Sequence, residues 1–153
     1  MSKPNTVFVY GTLSFPEILS ALLGREAVGE RGVLSGYKRV RVKDKVYPGL
    51  IEASSVNKVE GRVHSDISKE ELELLDTFED SFYKRVSLPI VLASSDTVEA
   101  ATYIIPKENL EFASDEVWDR DNFSEKYIPE YLVMVKRYRA EFMSGHRGSQ
   151  DFS

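Results

Sequence analysis

The chain has 153 residues, of which 42% are hydrophobic, and its 25 acidic against 20 basic side chains give a formal charge of −5. That length fits one domain with its own core, the composition is that of a folded chain, and no overall positive field is available to hold a nucleic-acid backbone. The absence of cysteine excludes disulfides, thiolate nucleophiles and sulfur-ligated zinc.

The opening residues MSKPNTVFVYGTL run straight into an apolar strand-like segment. They contain neither a signal-peptide core nor a stretch able to span a bilayer, so a cytoplasmic protein without a membrane partner is expected. Val7 to Tyr10 reads as a strand stopped by Gly11. Phe15-Pro16-Glu17 opens a short helix to Leu23, with Ile18, Leu19, Leu22 and Leu23 at helical spacing and Gly24 at its C-terminal cap. Val33 to Val42, Leu50 to Ala53 and Val59 to His64 are β-like pieces, with a turn at Tyr47-Pro48-Gly49.

Ser68-Lys69-Glu70-Glu71 matches a capping box, and Leu72, Leu75 and Phe78 carry a helix from Lys69 to Phe78, leaving Glu79 at its end. Tyr83 to Ala93 and Val98 to Ile105 read as two strands joined by a turn at residues 94–97. The stretch Glu108 to Lys126 holds seven acidic and two basic side chains with Trp118 and Phe123 among them. It reads as an irregular surface excursion anchored by its aromatics. Tyr127, Tyr131, Leu132, Val135, Tyr138 and Phe142 mark one face of a long helix, read as packing against the sheet. The expected organisation is a single domain over residues 1–143 and a flexible tail over 144–153. Helices do not alternate with strands, which predicts an α+β fold: a small mixed sheet, curved or closed like a barrel, with helices packed outside it.

Gly11 lets the chain turn sharply after a strand. The N–H groups of Gly11, Thr12 and Leu13 then either line an anion-binding concavity or belong to a plain strand-ending turn. Glu79 follows Leu74, Leu75 and Phe78, so it is either lodged against an apolar wall with a raised pKa or is a solvated surface charge. Asp80 either raises that pKa further or is the exposed member of the pair. Tyr83 and Arg85 stand two apart on the expected strand and share a face, which is either the pocket or the outside. If it is the pocket, the Arg85 guanidinium lowers the pKa of Glu79. Tyr47 and Tyr103 are further lining candidates. Only His64 and His146 occur as histidines; their separation provides no metal-ligand spacing and no Ser-His-Asp triad, and no metal or cofactor is expected.

Three segments in order carry a family resemblance. Val7-Phe8-Val9-Tyr10-Gly11-Thr12-Leu13 resembles the glycine-containing opening motif of the gamma-glutamylcyclotransferase-like superfamily, and Leu75 to Arg85 resembles its glutamate motif. Tyr47-Pro48-Gly49-Leu50 is similar to the turn between them. The Phe-Glu-Asp context and the aromatic-rich final helix resemble the plant avirulence-induced-gene branch. The resemblance implies conversion of a small gamma-glutamyl amine or amino acid to 5-oxoproline with release of the amine. It makes Glu79 the general acid/base, with substrate held by Tyr10, Gly11, Thr12 and Leu13 and, where they face the pocket, by Tyr47, Tyr83 and Arg85. The competing reading is the same fold as a ligand-binding or protein-interaction module without turnover. A third, a small barrel for single-stranded nucleic acid, rests only on the basic run Tyr37 to Lys43, which a basic edge strand explains more simply.

Overall fold

The computed structural model describes residues 5–147. Five strands close a barrel in the order β1-β5-β2-β6-β7: β1 (Asn5–Val9), β2 (Glu30–Ser35), β5 (Lys58–Ile67), β6 (Lys84–Leu92) and β7 (Thr97–Ile104). All neighbours are antiparallel except β1 and β7, which meet in parallel at Val7 and Ala101. The sheet is therefore mixed and closed, as the order of elements predicts.

The apolar run of β1 is explained by burial on both faces. Phe8 joins Leu34, Val59, Val63, Ile90 and Ala100 from the other four strands, which makes that cluster the barrel interior. Val7 and Val9 point the other way, into a second core with the helices. That core draws Ile18, Leu19 and Leu22 from α1 (Pro16–Leu23), Leu74 and Leu75 from α2 (Lys69–Phe78) and Val135 from a long helix, α4 (Ile128–Arg147). Gly24 caps α1 with φ 72°, and Ser68 and Glu71 close the expected capping box on α2.

Several boundaries differ from the sequence reading. The segment Val33 to Val42 is two strands. Gly36, at φ 88°, turns the chain out of the barrel, so that β3 (Tyr37–Val42) enters a separate three-stranded sheet. There it lies between β4 (Pro48–Glu52) and β8 (Ala113–Val117), so the basic run is a central strand rather than an edge. The acidic stretch is also ordered. It forms a 3-10 segment at Lys107–Phe112, then β8, then α3 (Arg120–Lys126), capped by the Asp119 carboxylate. Ala-Ser-Asp-Glu-Val has little strand propensity of its own. Pairing with β3, the Arg41–Glu116 ion pair and the Ser114 hydroxyl bonded to the Arg41 carbonyl hold it extended. Residues 144–147 continue α4, whereas 148–153 of the expected tail lie outside the described residues. No helix among the described residues is long and apolar enough to cross a membrane.

Candidate functional site

The three motifs meet at the start of β4. Pro48 and Gly49, read from the sequence as a turn, are instead the first strand residues, paired with Arg41 and Val40 of β3, and the turn lies before them at 43–47. A Cβ on Gly11 would stand 2.6 Å from Cγ of Pro48, so the opening motif lies against this segment with no room for a side chain. The glutamate motif grips the same segment twice: the Tyr83 hydroxyl donates to the Pro48 carbonyl at 2.6 Å, and the Tyr47 hydroxyl donates to the Asp80 carboxylate. A cavity of about 220 Å³ opens between them, and Glu79 is part of its wall.

Local geometry delivers Glu79 there. As C-cap of α2 it has left helical geometry, with φ −74° and ψ 144°, while its N–H still donates to the Leu75 carbonyl at 3.0 Å. The backbone is fixed and the side chain leaves the helix axis into the cavity beside Phe78. Desolvation raises its pKa to about 8, with Asp80 and then Asp76 adding like-charge repulsion. Of the two alternatives the sequence left open for Glu79, this is the one lodged against an apolar wall with a raised pKa, and Asp80 raises it further.

Tyr10, Gly11, Thr12 and Leu13 all line the cavity. Thr12–Ser14 is a single 3-10 turn in which Ser14 N–H donates to the Gly11 carbonyl at 3.0 Å. The N–H groups that begin such a turn have no partner within it. Tyr47 and Tyr83 also line the cavity. Arg85 does not: it is exposed, and its Nη1 lies 2.6 Å from Oδ2 of Asp76. The alternation argument failed because β6 begins at Lys84, so Tyr83 belongs to the preceding turn and shares no strand face with Arg85.

The sequence reading missed the contribution of α4. Tyr131, Met134 and Tyr138 form one cavity wall, while Val135 on the same helix is fully buried in the core. Helical spacing gave the stripe but could not divide it between packing and lining. Trp118 is absent from this wall; it is buried, and its indole N–H donates to the Val46 carbonyl at 2.8 Å, which makes it the anchor expected of the acidic stretch's aromatics.

The cavity's phenols differ in what they can offer. Tyr10 donates to the Tyr103 carbonyl at 2.6 Å, Tyr103 to Asp76, Tyr83 to Pro48 and Tyr47 to Asp80. With their protons committed, these oxygens can only accept, which suits an ammonium group. Tyr131 instead accepts from the Thr12 hydroxyl at 3.3 Å, so its own proton is free for a ligand oxygen. Burial, with Glu79 and Asp80 nearby, pushes its pKa up to about 12, so it remains a donor.

Comparison with known proteins gives a consistent assignment. A family model described as gamma-glutamyl cyclotransferase, AIG2-like, matches residues 7–120, which include all three motifs. AIG2-like protein D of Arabidopsis thaliana is 31% identical over 139 residues, covering 90% of each chain. A solution structure of an Arabidopsis thaliana protein superposes with TM-score 0.66 at 27% identity, covering 100% of this chain and 94% of that one. The crystal structure of an AIG2-like protein from Mus musculus, 23% identical, has TM-score 0.59 over 77% of this chain and 90% of its own, and shares the fold.

Proposed function

The chain belongs to the AIG2-like gamma-glutamyl cyclotransferase family, and we propose that it cyclises the gamma-glutamyl group of a small amine or amino acid to 5-oxoproline, releasing the amine. The observation that carries this reading is Glu79, a carboxyl group raised to about 8 inside a tyrosine-lined cavity. A group that must take up and return a proton near neutral pH needs such a value.

In this reading the substrate's α-amine attacks its own γ-carbonyl carbon. Glu79 takes one proton from the α-ammonium to free its lone pair; on ring closure the attacking nitrogen loses a second proton, and both pass to the departing nitrogen as the original amide C–N bond breaks, so the amine leaves as an ammonium and Glu79 is ionised again. One C–N bond replaces another, with no external nucleophile. The phenol oxygens that only accept receive the α-ammonium before reaction. The Tyr131 hydroxyl and the Gly11, Thr12 and Leu13 N–H groups serve the substrate's carboxylate and the carbonyl oxygen as it gains charge. Because both reacting groups belong to one molecule, holding the folded-back conformer supplies much of the rate.

The test is incubation with a panel of gamma-glutamyl amines and amino acids, with 5-oxoproline as the readout. Turnover of at least one substrate, lost in Glu79→Gln, is expected. Binding without any 5-oxoproline across the panel would favour the non-catalytic module instead.

A further inference from the structure

On the other side of the Tyr10–Ser14 loop lies a second concavity, of about 470 Å³, that the cyclisation chemistry does not use. Its lining side chains are polar or charged, with Gly61 the one residue that brings none. They include Arg31, Arg39, Lys58, Arg62 and Arg120 with a single carboxylate, Glu60. That carboxylate is already engaged, with Arg31 Nη2 at 3.2 Å from its Oε1. Among the described residues none of Arg39, Lys58, Arg62 and Arg120 has an ion-pair partner within 4.0 Å. Four cations outside any such ion pair thus line one hollow of a protein whose net charge is −5.

Arg39 is half-buried. It lies over the Trp118 ring, 5.4 Å from its centroid, and donates to the Tyr10 carbonyl at 2.8 Å and the Glu60 carbonyl at 3.3 Å, yet its Nε is buried with no acceptor among the described residues. Burial first, and then the neighbouring Arg120, weaken its hold on its proton, with Glu60 and Tyr10 opposing them in part. Arg120 is fixed by the Phe15 ring 3.9 Å away and by Ser14 Oγ at 3.4 Å. A buried guanidinium nitrogen without an acceptor is costly, and like charges held together ask for an anion.

We propose that this cavity binds a compact phosphate-bearing anion, such as a diphosphate or a small phosphate ester, held by Arg39, Arg62, Arg120 and Lys58. Arginine forks match tetrahedral oxyanions, and no hydrophobic side chain among the lining residues offers a seat for a large apolar body. The cations surround a hollow instead of following a track, and no row of stacking rings accompanies them, which favours a small anion over a nucleic-acid strand. Two of the four reach the back of the catalytic loop. Arg39 holds the Tyr10 carbonyl directly, and Arg120 reaches Ser14, whose hydroxyl donates to the Gly11 carbonyl at 2.5 Å.

Titration of the full chain with inorganic pyrophosphate, followed by calorimetry and by amide NMR at low salt, tests this without any turnover assay. Saturable binding is expected, with shifts at Gly11 to Ser14 and at Gly61 and Arg62, weakening as salt rises. Arg62→Gln and Arg120→Gln should each lower the affinity on the order of tenfold, while Lys38→Gln, outside the hollow, should not. The two arginines are replaced separately so that a folding defect in one leaves the other to decide. Absence of saturable binding at millimolar pyrophosphate overturns the proposal, as does equal loss in Lys38→Gln. Citrate binding as tight as pyrophosphate overturns the phosphate assignment, and tighter binding of a short single-stranded oligonucleotide overturns the small anion.

Discussion

The Tyr103 hydroxyl donates to Oδ1 of Asp76 at 2.6 Å, and this joins the inside of the cavity to its outside. Arg85 occupies the other oxygen of the same carboxylate. Arg85 therefore neutralises Asp76 from the solvent side rather than facing Glu79. Arg85→Met should leave kcat largely intact and shift its acid limb only slightly. A displacement by a full unit, or loss of substrate binding, would return Arg85 to the site.

Asp76 and Asp80 both raise the pKa of Glu79, with Asp80 the stronger. Asp80→Asn should move the acid limb of kcat/KM to lower pH, and Asp76→Asn should do so by less. The order is checked by pH–rate profiles of the two variants beside wild type; reversed order or upward movement contradicts it.

Glu79 must start ionised to accept a proton, so activity should fall as pH drops through its pKa. The limb of kcat/KM, which reports the free enzyme, belongs near pH 8. In the complex the substrate's ammonium stands nearby and favours the carboxylate, so the limb of kcat should lie lower. A kcat/KM limb near the ordinary value of 4.5 would mean a solvated Glu79.

Glu79→Gln should cut turnover by at least about 10²-fold while keeping the fold, because the amide preserves shape without exchanging a proton. It should also alter stability with a definite sign. The native carboxyl holds its proton up to about pH 8, whereas the unfolded chain releases it near 4.5, so wild-type stability declines across that window. The variant has no such proton to lose. Its melting temperature should match wild type near pH 4 and exceed it at pH 8 and above; a gap that does not change with pH would refute the burial argument.

Gly11→Val should abolish activity and lower stability, since any Cβ there meets Pro48 at 2.6 Å. Thr12→Ala should be milder, removing only the hydroxyl that bonds to Tyr131. Paired measurements of melting temperature and kcat/KM separate the two; a Thr12 variant more damaging than the Gly11 variant would show the side chain, not the backbone, to matter.

What could be read from the sequence follows from how local each feature is. The helix leading to Glu79 is set by Ser68, Glu71, Leu72, Leu75 and Phe78 within a few turns, so its end and the glutamate's place were legible. The division at Gly36 was not, because Val33, Val40 and Val42 are equally strand-like and only their sheet partners differ. β8 was hidden for the same reason: its strand character is supplied by β3, distant in sequence. Arg39 reads from the sequence as part of a basic edge strand. Its neighbours Tyr10, Trp118 and Arg120 come from three other segments, and no spacing within Tyr37 to Lys43 announces them.

The barrel's closing seam also has a kinetic meaning. β1 meets β7 across most of the domain, and the Tyr10 hydroxyl reaches the Tyr103 carbonyl over a separation of 93 positions. Joining segments so remote places this chain among slow folders, since the search for the partner strand precedes any gain from pairing. Tyr10 and Tyr103 are at once seam and cavity wall. No partly assembled barrel can then offer a working site, and in denaturant the loss of ligand binding should coincide with the loss of the whole sheet.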